Sequence, residues 1–260
     1  MYTIKDIIAP IEELAPLSIQ ETYDNSGLLC GAETQSVESV LLCVDITEEI
    51  VDEAVSLGCD LIISHHPLIF KGIKNLIPDN YINRCIVKAL KNDIGIYSAH
   101  TNMDLSASGA SGRMADKIGL CERRYISEHR TENYGYGIIG HLPAPEDSLR
   151  FLERIKSVFG CKGIRHTRIH KKEISHIAVC GGAGAFLIPD AIAKKADIFL
   201  SGDFKYHDFF LAENRIILAD IGHYESEQYT KDIFYELIRK KFPKFAVRFS
   251  SFNTNPVNYL

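Results

Sequence analysis

The sequence predicts an α/β fold built from two internally duplicated halves around a shared cleft, and three observations carry that prediction. Short runs such as Val40-Leu41-Leu42-Cys43-Val44 and Asp60-Leu61-Ile62-Ile63-Ser64 have the length and composition of buried strands. They alternate with segments of helical period, as in a sheet covered by helices. The same alternation recurs in the same order at both ends of the chain.

The elements follow in order. Ile4, Ile7, Ile8, Ile11 and Leu14 recur at helical spacing and predict a helix over 4–14 that ends near Pro16. Tyr23-Asp24-Asn25-Ser26-Gly27-Leu28 reads as a polar, turn-rich segment. After the strand at 40–44, Thr47 to Leu57 reads as a helix with Thr47 as cap and Gly58 as terminator. The strand at 60–64 ends in His65-His66-Pro67. A helix over 81–92 and a strand over 94–98 lead to Ala99-His100-Thr101-Asn102-Met103-Asp104.

The middle is less regular, with helices expected at 109–119 and 146–158 and a glycine- and tyrosine-rich piece at 134–140. Next come a strand at 177–180 running into Gly181-Gly182-Ala183-Gly184, a helix at 188–195 and a strand at 197–201. A strand at 216–219 and one long helix ending near Lys241 follow. The glycine run suits either an anion-binding nest or a tight turn. The expected organisation is two pseudo-repeated halves, 1–125 and 170–260, forming one metal-binding unit. Residues 126–169 would be an irregular connecting segment with a strand and a helix.

A shift of 137 residues lays Val40-Leu41-Leu42-Cys43 on Ile177-Ala178-Val179-Cys180 and Asp60 to Ser64 on Asp197 to Ser201. A shift of 123 lays His100 and Asp104 on His223 and Glu227. Polar residues therefore follow the second and third strands of both halves, where open α/β sheets place their chemistry.

Composition is that of a globular protein, 46% hydrophobic and 24% charged, with a formal net charge of -5. No basic run marks a nucleic-acid footprint, and no apolar run is long enough to span a bilayer. The first residues lack the layout of a signal peptide. Seven scattered cysteines, never in Cys-x-x-Cys spacing, favour a reducing compartment and argue against cysteine-bound zinc. A cytoplasmic location is expected. His129, His141, His166, His170 and His176 read as surface or structural histidines.

Pooled, the strand ends offer His65, His66, His100, Asp104, Asp203, His207, His223 and Glu227. His223 and Glu227 stand at i, i+4, one face of a helix, so both can reach one ion. Nitrogen and oxygen donors suit zinc, manganese, iron, nickel or cobalt, and there are enough of them for two divalent ions.

Five ordered motifs then match a known family: Tyr-Asp-Asn-Ser-Gly-Leu, Ser-His-His-Pro-Leu-Ile-Phe, His-Thr-Asn-Met-Asp, Ser-Gly-Asp-x-x-x-His and Gly-His-x-x-x-Glu. Over nearly its whole length the chain resembles the GTP cyclohydrolase 1 type 2 homologues, also called Nif-three-like or dinuclear metal-centre hexameric proteins. It carries Tyr23 where the family more often has Trp, and its length leaves no room for the middle domain that some members insert. The resemblance implies two metal ions held by His65, His66, Asp104, His223 and Glu227, with Glu227 bridging, in a ring-shaped homohexamer. His100 and His207 would carry protons, and Asp203 and Lys205 would face the substrate.

The implied activity is a metal-dependent hydrolase, with hydroxide attacking the purine ring of GTP and formate released. Lys205 and the Gly181–Gly184 turn would hold the triphosphate. The alternatives are a dinuclear-metal phosphoesterase and a non-catalytic ring protein that binds a ligand. The expected partner is a small-molecule substrate, a nucleotide, with neither membrane nor nucleic acid.

Overall fold

The computed structural model describes residues 1–260. The chain runs through β1 (Tyr2–Thr3), α1 (Ile4–Leu14), β2 (Gly27–Cys30), β3 (Ser36–Val37), β4 (Ser39–Cys43), α2 (Glu48–Leu57), β5 (Leu61–Ser64), α3 (Tyr81–Lys91) and β6 (Gly95–Ser98). It continues with the single turn α4 (Thr101–Asp104), α5 (Ala110–Ile118), β7 (Cys121–Glu128), β8 (Gly135–Asp147), α6 (Ser148–Phe159), β9 (Arg165–His166) and β10 (Glu173–Ala183). The last elements are α7 (Ile188–Ala193), β11 (Ile198–Gly202), β12 (Ile217–Asp220), α8 (His223–Glu227), α9 (Thr230–Lys241) and β13 (Ala246–Phe249). No helix is long and apolar enough to cross a membrane.

The chain divides into two compact units, Met1–Met103 with Thr230–Pro256 and Asp104–Tyr229 with Val257–Leu260. In the first, a five-stranded sheet has the order β13-β4-β5-β6-β2, parallel except for β2. Strand side chains alternate between two layers, as the pleat requires. Val40, Leu42, Leu61 and Ile63 bury against α1 and α9, whereas Leu41, Cys43, Ile62 and Ile96 bury against α2 and α3. Removing any one of these large aliphatic side chains costs about 2–5 kcal/mol. Helix α1 starts at a reciprocal cap: the Asp6 amide donates to Thr3 Oγ1 and the Thr3 amide donates to Asp6 Oδ2.

The second unit holds a six-stranded sheet of order β7-β8-β10-β11-β12-β9, in which β10, β11 and β12 are parallel. Ile177, Val179, Ile198 and Leu200 face α5 and α6, and Ala178, Cys180, Phe199 and Leu218 face α7.

The duplication extends to the register of the first two parallel strands, up to the bulge after Val179. In the first unit Val40 pairs with Leu61, and in the second Ile177 pairs with Ile198, the same pair after a shift of 137. The shared frame includes an aspartate clamp. Asp60 Oδ2 accepts the amides of Glu38 and Ser39, and Asp197 Oδ2 accepts those of Ser175 and His176.

Several expectations change. Residues 126–169 are no irregular connection, because β8 sits inside the sheet, paired on both sides with β7 and β10. The glycines and prolines of this stretch hide its alternation from a sequence reading. The units accordingly meet at 103/104 and 229/230 rather than at 125 and 170. The long helix expected up to Lys241 is broken into α8 and α9. The polar segment after Tyr23 ends in a strand, β2, antiparallel to β6. Thr47 precedes α2 but makes no side-chain cap to its backbone.

Candidate metal centre

In the first unit, three imidazoles gather beyond the ends of β5 and β6. The rings of His65 and His66 lie 4.9 Å apart, and each is 5.4 Å from that of His100. Their convergence follows from Pro67: the strand ends at Ser64, and the two histidines leave it in a loop rather than on opposite faces. Ser64 Oγ donates to the His66 carbonyl (2.8 Å) and lies 2.7 Å from Ser98 Oγ, tying the ends of β5 and β6 together.

Each ring is fixed through Nδ1. His65 Nδ1 is 2.9 Å from the Ala99 carbonyl, His66 Nδ1 is 2.7 Å from Asp45 Oδ1, and His100 Nδ1 is 2.8 Å from Asp24 Oδ1. A carbonyl or carboxylate oxygen only accepts, so Nδ1–H is the donor and the neutral ring carries its lone pair on Nε2. This is the tautomer and orientation that a metal-ligating histidine takes from its surroundings.

The two carboxylates were the part that sequence reasoning missed. Burial pushes Asp45 up, but the hydrogen bond and charge of His66 outweigh it and hold the carboxyl below its usual range, with help from Thr254 Oγ1 at 2.7 Å. Asp24 is likewise raised by burial and brought well down by His100, assisted by Thr101 and the Asn25 amide. Asp24 lies in the motif that begins at Tyr23, and Asp45 ends the first predicted strand. Those positions were the only signals available.

In the second unit, His223 and Glu227 come from the single turn α8. His223 Nδ1 is 2.8 Å from Asp203 Oδ2, and its Nε2 is 3.0 Å from Glu227 Oε2. Burial lowers the His223 pKa, but Glu227 and then Asp203 raise it, to about 11. Asp203 is held low by the same hydrogen bond and adopts φ 56°, a left-handed conformation that Asp tolerates better than most residues. Asp203 therefore orients a histidine, one of the two roles that its place beside the expected metals left open. Glu227 is 3% exposed and buried against the glycine run. A Cβ at Gly182, where φ is +62°, would overlap Glu227 Oε1, and one at Gly181 would come within 3.3 Å of Glu227 Cγ. At Gly182 the left-handed backbone and this overlap together call for glycine.

The same glycines form no open anion nest. The amides of Gly181, Gly182 and Gly184 donate to the hydroxyls of Ser111, Ser226 and Ser201 at 3.2, 2.9 and 3.0 Å. The tight-turn alternative holds, and the turn holds no triphosphate. Asp104 belongs to this neighbourhood: burial pushes the Cys180 thiol up, and the charges of Asp104 and Glu227 push it further. Lys205 is exposed, its amide donating to Asp208 Oδ2. The ring neighbours of His207 are Tyr206 and Phe210, and no hydrogen bond or ion pair ties it to Asp203, His223 or Glu227.

The donor chemistry fits a divalent transition metal. The first unit offers imidazoles with Nδ1 engaged, the second offers a buried carboxylate in a glycine cradle, and neither offers a thiolate. The possible metal ligands are His65 and His66 of the first unit and Glu227 of the second. All seven cysteines are free, six of them buried.

The Duf34/NIF3 (NGG1p interacting factor 3) description matches residues 2–256. The chain belongs to the Duf34/NIF3 family. A relative from Campylobacter jejuni is 36% identical over 234 residues, covering 87% of this chain and 88% of its own. One from Clostridium perfringens is 33% identical over 228 residues, 86% of each chain. Both are named GTP cyclohydrolase 1 type 2 homolog. Among solved structures, a hypothetical protein of Staphylococcus aureus superposes with a TM-score of 0.91 at 29% identity, covering 99% of both chains.

Proposed function

We propose that this chain is a metal-dependent hydrolase that opens the purine ring of GTP and releases formate. His65, His66, Asp104, His223 and Glu227 would hold two divalent ions, with Glu227 as the bridge. Bound there, the metals would supply an activated water near neutral pH. The observation that carries the reading is the fixing of three neighbouring imidazoles through Nδ1, the tautomer in which Nε2 of His65 and His66 can ligate a metal and that of His100 can carry a proton.

The chain's own residues have separable tasks. Ala99, Asp45 and Asp203 orient His65, His66 and His223. His100, paired to the ionised Asp24, is the proton carrier: Asp24 stabilises its imidazolium while Nε2 exchanges the proton with the substrate. Nothing places His207 in that role, so His100 carries it alone in this reading. The substrate rests on the relatives' names, and a homohexameric assembly and a cytoplasmic location belong to the same proposal.

The test is metal content per chain on protein purified without chelator, with formate release from GTP measured on the same sample. About two transition-metal ions per chain and metal-dependent formate are expected. Glu227→Ala should lower metal affinity by more than about 100-fold and abolish formate while the chain stays folded. Metal without formate from GTP would remove the proposed reaction, and absence of metal after reconstitution would remove the centre itself.

A further inference from the structure

With the glycine turn closed by its serines, the phosphates of a nucleotide need another receptor. We propose that the cavity following the His-His-Pro motif is the phosphate subsite for a nucleoside triphosphate, with Lys71 and Lys74 as its cations and Tyr23 and Phe70 as the platform for the base. The inference rests on the nucleotide reading above and deepens it.

The cavity lies wholly within the first unit and measures about 430 Å³, within the range of small-molecule sites. Its lining includes Phe70, Lys71, Lys74, Asn75, Asp79 and Asn83. Neither lysine is in an ion pair, whereas Lys5, Lys88 and Lys241 of the same unit pair with Glu33, Asp52 and Glu13. Asp79, the one carboxylate of the lining, is engaged by the side-chain amides of Asn80 and Asn83 at 2.9 and 3.4 Å. In a chain of net charge -5, two cations against the single carboxylate of Asp79 leave this cavity net positive, a local anion receptor.

Phe70 links this cavity to the histidines. Its ring centroid is 6.2 Å from that of His100 and 6.4 Å from that of Tyr23. The start of the loop is pinned by Asn25 Nδ2, which donates to the Ile69 carbonyl at 2.5 Å. Tyr23 and Phe70 are 64% and 44% exposed, two aromatic rings beside a polar site. Exposed aromatic rings next to a cationic groove are how proteins stack a base and hold its phosphates. A base on this lip lies against His100, and its phosphates extend along the loop to Lys71 and Lys74. Every base has a π-face, so the arrangement selects a nucleotide by its phosphates rather than guanine by its edge.

The test is equilibrium binding to the intact, metal-loaded chain, with metal content measured before and after. The probes are GTP, guanosine and inorganic tripolyphosphate at low and high salt. Lys71→Gln with Lys74→Gln should weaken GTP and tripolyphosphate at least tenfold, flatten their salt dependence and leave guanosine unchanged. Phe70→Ala should weaken GTP and guanosine and spare tripolyphosphate. Binding of GTP and tripolyphosphate as tight in the double variant as in the parent, or no binding of either by the parent, overturns the subsite. Lysine-dependent GTP binding without formate release would remove the hydrolase reading and leave the subsite standing. Formate release with lysine-independent binding would do the reverse.

Discussion

The two units share a frame and differ at its rim. In both, the first two of three parallel strands pair in the same register, and an aspartate at the head of the second strand captures two amides at the start of the first. At the carboxyl ends the same positions diverge. The first unit ends β5 in His65-His66 and draws its orienting carboxylates from Asp45 and Asp24. The second ends β11 in Gly202-Asp203 and sets His223 between Asp203 and Glu227. The glycine is steric: a Cβ at Gly202 would come within 2.8 Å of the His223 backbone. A duplicated sheet thus fixes where side chains emerge, and the rim residues alone decide whether a half supplies imidazoles or carboxylates.

That contrast can be tested from its most sensitive point outward. Gly182→Ala should destabilise the chain by at least about 2 kcal/mol and lower its metal content, because strain adds to overlap with Glu227. Gly58→Ala, at nearly the same φ but with open space around it, should cost about 1 kcal/mol and leave metal content alone. Equal effects in urea melts of the two variants would mean that the cradle plays no part. Asp45→Asn should reduce metal affinity about 10- to 100-fold by loosening His66. An unchanged metal titration would show that His66 needs no orienting partner.

The clamps offer a smaller and pH-dependent effect. Burial raises Asp197, but the amides it accepts and Lys171 bring it below its usual value, so its stabilisation is present above the unfolded pKa and is lost as pH falls through the folded one. Asp197→Asn should cost about 1–2 kcal/mol at pH 7, and the difference from wild type should vanish once the pH drops well below 4. Asp60 has no lysine partner, so Asp60→Asn should cost less; a larger loss there would break the parallel between the clamps. Smallest of all, Thr254→Val should weaken metal binding about threefold through Asp45, with Thr254→Ser restoring it. No rescue by serine would assign the loss to packing.

The frame was legible in the sequence because its signals are local. Helix α1 spans the residues that its isoleucine spacing gives, and β5 stops where the apolar run meets His65. The repeat was legible because the shift of 137 needs no gap. The edges were not. Strand β2 is four residues behind a polar turn, β13 is four residues after Pro243, and β7 and β8 carry no clean alternation. The histidines announced themselves as a motif, but their carboxylates did not. Asp24 reaches His100 across 76 residues and Asp45 reaches His66 across 21, pairings that only the assembled sheet creates. The Gly181–Gly184 run was read from composition alone, which cannot tell an open nest from one filled by Ser111, Ser201 and Ser226.

In the proposed centre, Nε2 of the oriented histidines and the cradled carboxylate of Glu227 hold metal. Anomalous diffraction from crystals reconstituted with zinc or manganese tests it most directly. Two anomalous peaks per chain about 3.5–4 Å apart are expected, with bonds to Nε2 of His65 and His66 and to Glu227. Peaks bonded through Nδ1, or reconstituted crystals with no peak at these residues, would contradict it.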